Sequence, residues 1–381
     1  MKTLVVGLVL AAALGAGAAD AQEKVIRIPF STNFTGQQSA FGERLWRGGQ
    51  LAAEEINAAG GIRGGHKIEF YKVDARSEAQ GIVAEYRRAC TDPSVPLFWA
   101  NFSSRQLFAI YEYAKECNLV TFAASSGGDW VYPDQGKWIY RYLPATNLVL
   151  PVLYQKLKDK LGVKTAALSV AIDNDFAVHN AKVARKILDE QGIKLVVDVS
   201  SKTGETNFAS QVAAINAAKP DVVILSHLSD DGGKVALQLR ERGLTTQIAD
   251  TGYTIAGRDF WNLSQGHGKG AIGSSIYTSS DPRPIVQDWI ARWRKHTGED
   301  AADPDPFETA TYDAVKVMAK ALNAAASMDR KAIADSFLTL KNVETISGTI
   351  TYRTQDLPDV YRPDPILVQL GDNGRLIRWG N

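Results

Sequence analysis

Only two cysteines and five histidines occur in 381 residues, and none falls at zinc-ligand spacing, so no metal site is expected. Charge of one sign is also lacking. The chain has 43 Lys plus Arg against 42 Asp plus Glu, a formal net charge of +1, with no dense basic run. Without the positive field that dominates attraction to phosphate backbones, nucleic acid is not an expected partner. With 14 prolines, 45% hydrophobic and 22% charged residues, the chain is neither collagen-like nor disordered. Enzyme signatures are missing as well: there is no GxSxG elbow, HExxH, P-loop or CxxC. Gly268-Lys269-Gly270-Ala271-Ile272-Gly273 fits GxGxxG by letters, but a β-like run, Ser274 to Thr278, and then Pro282 and Pro284 follow where a dinucleotide fold needs a helix. No enzyme activity and no cofactor are expected, since a folded cleft alone implies no reaction. No segment after Gln22 resembles a transmembrane helix.

The first 21 residues do carry a recognisable pattern. Lys2 gives a positive start, Leu4 to Leu14 form a short apolar run, and Ala19-Asp20-Ala21 supplies small residues two apart. This predicts a signal peptide over 1–21, cleaved before Gln22, and a periplasmic mature protein. No cysteine follows the apolar run, so lipid attachment is not expected. In an exported chain Cys90 and Cys117 leave two readings open, a disulfide or two buried thiols. Each sits near the end of a helical pattern that follows a strand of the same sheet.

The mature chain alternates β-rich runs with amphipathic segments, the grammar of an α/β fold with parallel-rich sheets. Strand Val25 to Phe30 leads to a helix from about Phe41 to Ala59, where Leu45, Gly49, Ala52 and Ile56 share one face and Gly60-Gly61 supplies the stop. Strand Lys67 to Val73, helix Ser77 to Ala89, strand Leu97 to Asn101, helix Ser104 to Glu116 and strand Leu119 to Ala123 follow. The pattern restarts beyond Arg141 to Pro144: strand Thr165 to Ala171, helix Ala177 to Glu190, strand Lys194 to Val199, helix Phe208 to Ala218, strand Asp221 to Leu225 and helix Lys234 to Arg242. The later segments Ile285 to His296, Thr309 to Ala325 and Lys331 to Leu338 read as helices, and Gly348 to Tyr352 and Ile366 to Leu370 as strands. Two lobes of similar architecture are predicted.

The residues also carry a specific likeness. Thr35-Gly36, Phe41-Gly42, Leu51-Ala52 and above all Glu55-Ile56-Asn57-Ala58-Ala59-Gly60-Gly61-Ile62 resemble the N-terminal signature of the branched-chain amino-acid-type (type I) periplasmic solute-binding proteins of ABC importers. Asp74, Ser103-Ser104, Asp173-Asn174-Asp175-Phe176 and Tyr312-Asp313-Ala314 extend the resemblance over essentially the whole mature chain. It implies two Rossmann-like lobes of Venus-flytrap form joined by three hinge crossings. The N-terminal lobe is expected to comprise 22–142 plus 277–353, and the C-terminal lobe 143–276 plus 354–381. The crossings are expected near Arg141 to Pro144, Ser274 to Pro282 and Tyr352 to Asp356.

In open α/β sheets ligands bind where strand ends turn into helices, which selects the loops 31–41, 101–105, 123–130, 173–176, 226–231 and 250–254. Ser103 and Ser104 stand where the resemblance places ligand-carboxylate donors, though serine there also serves as a plain helix cap. Ser125 and Ser126 carry the same reading against that of a polar turn. Phe34, Phe41, Phe102, Trp130, Phe176 and Tyr253 could line an apolar pocket; the resemblance singles out Phe41 and Phe176. His227 could donate to a ligand oxygen, whereas Arg105 reads as a surface residue. In amino-acid binders of the family an acidic residue after the second lobe's fourth strand pairs with the ligand ammonium. Here that segment reads Asp250-Thr251-Gly252-Tyr253, so either Asp250 takes the role by a small register change or the ligand lacks an amino group. The expected function is capture of a small hydrophobic carboxylate, aromatic by preference (an aromatic acid, 2-keto acid or amino acid), by a monomeric periplasmic protein that delivers it to an ABC permease. Presentation of the same ligand to a sensory receptor is the second class. Asp173, Asp175, Asp230 and Asp231 lie near the same loops without a visible acid–base pairing.

Overall fold

The structure, a computed structural model, describes residues 24–36, 38–78, 80–100, 104–128, 138–298, 303–352 and 365–380. The expected signal peptide, Phe102, Ser103, Trp130 and the chain immediately after Tyr352 lie outside them.

The first lobe is built from β1 (Val25–Thr32), α1 (Ser39–Ala58), β2 (Lys67–Asp74), α2 (Val83–Thr91), β3 (Leu97–Ala100), α3 (Ser104–Glu116), β4 (Val120–Ala123) and β5 (Ile139–Arg141). Its five strands are all parallel, in the order β2-β1-β3-β4-β5. The second lobe follows with α4 (Thr146–Leu161), β6 (Thr165–Ala171), α5 (Asp175–Glu190), β7 (Lys194–Ser201), α6 (Ala209–Ala218), β8 (Val222–Ser226), α7 (Ser229–Glu241), β9 (Gln247–Asp250), α8 (Arg258–Leu263) and β10 (Ile272–Ser275). Its parallel strands run β7-β6-β8-β9-β10, so the first lobe's order recurs. The chain then passes through α9 (Pro284–Thr297), α10 (Pro306–Ala324), α11 (Arg330–Phe337) and the hairpin β11 (Val343–Thr345) and β12 (Gly348–Ile350). It closes with β13 (Ile366–Leu370) and β14 (Leu376–Arg378), which add antiparallel to β10.

The cores follow the same division. Ile28, Phe30, Trp99 and Phe122 of the first sheet share one cluster with Ile276, Tyr277, Trp289, Val315 and Phe337, so α9 to α11 return to the first lobe. Phe30 stacks on Trp99 with ring centroids 5.7 Å apart. All four residues of the expected apolar face of α1 are buried, as are Gly48, Leu51 and Ala53. The buried stripe is wider than the spacing alone suggests because α1 is clamped on two sides. A Cβ added to Gly49 would stand 2.5 Å from the Phe30 ring, and one on Gly48 would stand 2.4 Å from the Glu308 carbonyl of α10. Leu367 joins the core around β6 and α5, and Val368 and Leu376 join the core around β8 and α7, so β13 and β14 belong to the second lobe.

Cys90 and Cys117 are joined in a disulfide with Cα atoms 5.5 Å apart. Beside it the Arg330 guanidinium donates to the carbonyls of Ala89, Cys90 and Cys117 at 3.0, 2.9 and 3.0 Å. Those carbonyls lie at the C-terminal ends of α2 and α3, where a cation is favoured by the helix dipole.

Several elements depart from the sequence expectation. Helix α2 begins at Val83 instead of Ser77, because Arg76 and Ser77 take left-handed φ of 55° and 56° and their N–H groups turn toward Asp74 and Asn33. Helix α4 was hidden by Pro151 in its interior, which removes one helix hydrogen bond. Helix α7 begins at Ser229, five residues before the expected Lys234. Its Gly232-Gly233 pair weakens the helical pattern, yet lets α8 approach: a Cβ on Gly232 would meet Thr254 at 2.6 Å and one on Gly233 the Phe260 carbonyl at 2.7 Å.

Candidate functional site

Both lobes have the strand order 2-1-3-4-5, which reverses between the first strand and the third. At such a reversal of strand order a crevice opens beyond the carboxyl ends of the strands. In the first lobe the crevice lies after β1 and β3, and in the second after β6 and β8. The two crevices face each other across a cleft of about 980 Å³, counting its open mouth.

The first-lobe wall is held by loop hydrogen bonds. The Asp74 carboxylate accepts from the Phe34 and Thr35 N–H groups at 3.0 and 3.1 Å, and the Asn33 amide donates to Gln38 at 2.7 Å. These contacts bring Gln38, Phe41 and Arg44 to the cleft from the start of α1. Ser104 reaches it as the first residue of α3, and its Oγ accepts from the Gly128 N–H at 3.2 Å, leaving its own O–H to donate. Ser125 and Gly127 line the cleft, whereas Ser126, between them, is buried and is not on its wall.

On the second-lobe wall Asn174 caps α5 by accepting from the Ala177 N–H at 3.0 Å, and Phe176 follows in the first turn. His227 and Asp230 come from the end of β8 and the first turn of α7, and Tyr253 and Thr254 from the turn after β9. His227 is 1% exposed; its Nε2 lies 2.9 Å from the Ser169 Oγ, and its Nδ1 has no hydrogen-bond partner among the described residues. Burial lowers its pKa to about 4, against the raising effect of Asp231 and Glu205, so the ring is neutral at pH 7. Tyr253 has φ of 63°, a left-handed conformation costly for an aromatic residue, and its ring lies 6.3 Å from Phe307, which stands 5.1 Å from Phe41. Four aromatic rings, Phe41, Phe176, Tyr253 and Phe307, therefore meet in one cleft with hydroxyls and a helix start at its first-lobe wall.

Of the residues expected here, Phe41, Ser104, Ser125, Phe176, His227 and Tyr253 stand on the cleft wall. Phe34, Ser126 and Asp250 do not. Phe34 packs against Trp46 at 5.7 Å with the Lys72 ammonium 4.4 Å from its ring. Asp250 is fully buried, and its carboxylate accepts from the Gly252 and Ile255 N–H groups, both at 3.0 Å, so it shapes the turn that presents Tyr253. Burial pushes its pKa up to about 7, with the backbone hydrogen bonds opposing. Arg105 pairs with Asp175 at 3.1 Å, a contact from α3 to α5 that joins the lobes.

Sequence reasoning did not single out Arg44, Asp259 or Phe307. Arg44 on α1 and Asp259 on α8 both line the cleft and form an ion pair at 2.6 Å. No local signal could have found a pair 215 residues apart in the chain.

A family model described as "Periplasmic binding protein" matches residues 25–358. An amino acid binding protein of Pseudomonas aeruginosa is 26% identical to this chain over 90% of it and 89% of the relative. Among solved structures, a leucine binding protein from Thermotoga maritima superposes with a TM-score of 0.83 at 20% identity, covering 93% of this chain and 97% of that one. A solute binding protein of an ABC transporter from Rhodopseudomonas palustris, in complex with 3,4-dihydroxy benzoic acid, superposes with a TM-score of 0.80 at 17% identity, covering 94% and 97%. At these identities the structural likenesses concern the fold.

Proposed function

Because the chain belongs to the periplasmic binding protein family, we propose that it is the periplasmic substrate-binding component of an ABC importer of the branched-chain amino-acid type, and that it captures a small hydrophobic carboxylate with a body suited to aromatic walls. The observation that carries this reading is the two-sided cleft at the facing switch points. Ser104, Ser125 and the start of α3 offer donors to a carboxylate, and Phe41, Phe176, Tyr253 and Phe307 offer faces to an apolar body. The relative from Pseudomonas aeruginosa is named for amino acids and the fold neighbour from Rhodopseudomonas palustris holds a dihydroxy benzoic acid, so both ligand types are compatible with such a cleft. In this reading the protein works by hinge motion. A ligand touching both lobes prefers the closed form and shifts the equilibrium toward it, and the closed form docks on a permease.

A thermal-shift screen of the protein against amino acids, their 2-keto analogues and benzoates or hydroxycinnamates tests the proposal. A ligand at 100 times its dissociation constant adds about 2.7 kcal/mol of stability, and a scavenging binder should reach a dissociation constant of roughly micromolar or tighter. Absence of stabilisation by every carboxylate in the panel counts against it.

A further inference from the structure

A second groove, of about 1090 Å³ counting its open mouth, runs beside the cleft. One wall is the Asp303–Pro306 segment, which leads into α10 of the first lobe, and the other is α8 with the β13–β14 turn of the second. Gly257 lines both cavities, and of the next two residues Arg258 lines the groove and Asp259 the cleft. Asp305 fastens the walls to each other: its carboxylate accepts from the Phe307 N–H of α10 at 2.9 Å and from the Arg258 N–H of α8 at 3.0 Å. The groove therefore exists only while the lobes are together. It is short of one donor. The Asp303 side chain is 7% exposed; its Oδ1 accepts from Arg294 at 3.2 Å and its main-chain carbonyl from the Arg258 guanidinium at 2.9 Å, but the buried Oδ2 has no hydrogen-bond partner among the described residues. Such an acceptor is costly unless something donates to it. A further cation is not what is missing, because among the described residues Arg44, Arg258 and Arg294 already stand against Asp259, Asp303 and Asp305. A neutral hydroxyl fits, since it donates without adding charge. Around it the half-buried Trp261 offers an apolar face, and the exposed Asn262 and Asn373 amides can each donate and accept.

We infer that this groove is a second ligand site, taking a small neutral molecule with several hydroxyl groups on an apolar ring, such as a monosaccharide or cyclic polyol, and that its occupant holds the lobes together. One hydroxyl donates to the Asp303 Oδ2, its neighbours exchange hydrogen bonds with the two amides, and the C–H face of the ring lies on Trp261. The walls belong to different lobes, so opening uncovers Oδ2 for an entering hydroxyl and closing seals it. An occupant that touches both walls favours the closed form, as a cleft ligand does, and each then raises the affinity of the other by the same factor. The effect on closing rests on the hinge motion proposed above, whereas the site itself does not.

Ligand-observed NMR titration of the full mature protein with methyl α-D-glucopyranoside and with myo-inositol tests the site, with methylammonium chloride as the cation probe. At least one of the two hydroxyl compounds should saturate, with a dissociation constant of roughly 0.1 to 10 mM, as for a few hydrogen bonds and one stacked ring. Asp303→Asn keeps an acceptor for Arg294 and puts an amide donor where Oδ2 stood, so it should weaken binding about 10-fold or more. Asn262→Ala, at an exposed position, should weaken it about 2- to 5-fold without lowering the melting temperature. In small-angle scattering the saturating compound should reduce the radius of gyration of the wild type more than that of Asp303→Asn at the same concentration, a comparison that cancels the effect any polyol has on a protein through the solvent. No saturation by either compound, saturation unchanged in both variants, or methylammonium binding as tightly would overturn the site; saturation with equal changes in radius would overturn its effect on closing. Neither measurement contains a carboxylate ligand, so failure of this inference and failure of the proposed function are read separately.

Discussion

Arg44 of the first lobe holds both carboxylate oxygens of Asp259 of the second, with Nη1 to Oδ1 at 3.2 Å and Nη2 to Oδ2 at 2.6 Å. The pair is bidentate and lines the cleft, so it forms only when the lobes are together and adds its stabilisation to the closed form alone. Asp259→Asn should shift the ligand-free protein toward the open form, seen as a larger radius of gyration in small-angle scattering. Ligand affinity should fall by roughly 5- to 10-fold, since closing then relies more on the ligand. An unchanged radius and affinity would show that the pair contributes nothing to closing.

The aromatic walls predict a different loss. Phe176→Ala and Phe41→Ala each remove one ring that a bound ligand would otherwise bury, about 1.5 to 3 kcal/mol of apolar contact. Affinity measured by titration should drop about 10- to 100-fold for either variant. Phe34→Ala, whose ring packs on Trp46 away from the cleft, should leave affinity unchanged.

Two buried groups give opposite pH dependences. Asp250 keeps its proton up to pH of about 7 in the folded protein but only to about 4 when unfolded, so its contribution to stability is present at low pH and lost as pH rises through 7. His227 has a folded pKa of about 4 against about 6.5 unfolded, so its contribution is present above 6.5 and lost as pH falls through 4. In urea denaturation from pH 4.5 to 7.5, the stability of the wild type relative to Asp250→Asn should fall with rising pH. Relative to His227→Gln it should rise. Parallel curves for wild type and either variant would refute the corresponding shift.

The Cys90–Cys117 bond closes a loop with a sequence separation of 27. Restricting the unfolded chain over such a loop is worth about 3 to 4 kcal/mol in the chain-entropy account. Replacing both cysteines with serine should lower stability by about that amount, read from the denaturation midpoint. Ligand affinity should be little affected, because neither residue lines the cleft.

Gly273 on β10 faces the Asp250 turn. A Cβ there would lie 2.6 Å from both the Asp250 carboxylate oxygen and the Ile255 side chain. Gly273→Ala should cost about 1 to 3 kcal/mol as an overpacked site, with a lower melting temperature. Ligand binding should weaken too, since the displaced turn carries Tyr253.

Much of the fold was legible because it is local. β6, β13 and α3 have the bounds their hydrophobic patterns indicate, and the repeated strand–helix alternation announced two similar lobes. The losses have identifiable causes. Pro151 masked α4, and Gly232-Gly233 masked the first turn of α7, with Asp230 in it. β5, only three residues long, has too short a pattern to read as a strand, and only its last residue, Arg141, falls in an expected crossing. At the site, strand-end loops were the right places to look, but a loop position does not fix which way a side chain turns. Asp250 and Ser126 sit in such loops and point inward, to backbone donors and the core respectively. Arg44 and Asp259 meet only through the approach of two lobes, which no stretch of sequence encodes.

The recurrence of one strand order in both lobes makes the cleft a coincidence device. Neither crevice holds the full set of contacts: the serines and the α3 start lie on one side, and His227, Asp230 and Tyr253 on the other. A molecule with only the first set of complementary groups would be sampled and let go by one jaw, and only a molecule that answers both at once would keep the jaws shut. If the proposed function holds, the resting protein stays indifferent to most of the small anions around it without needing a separate means of excluding each.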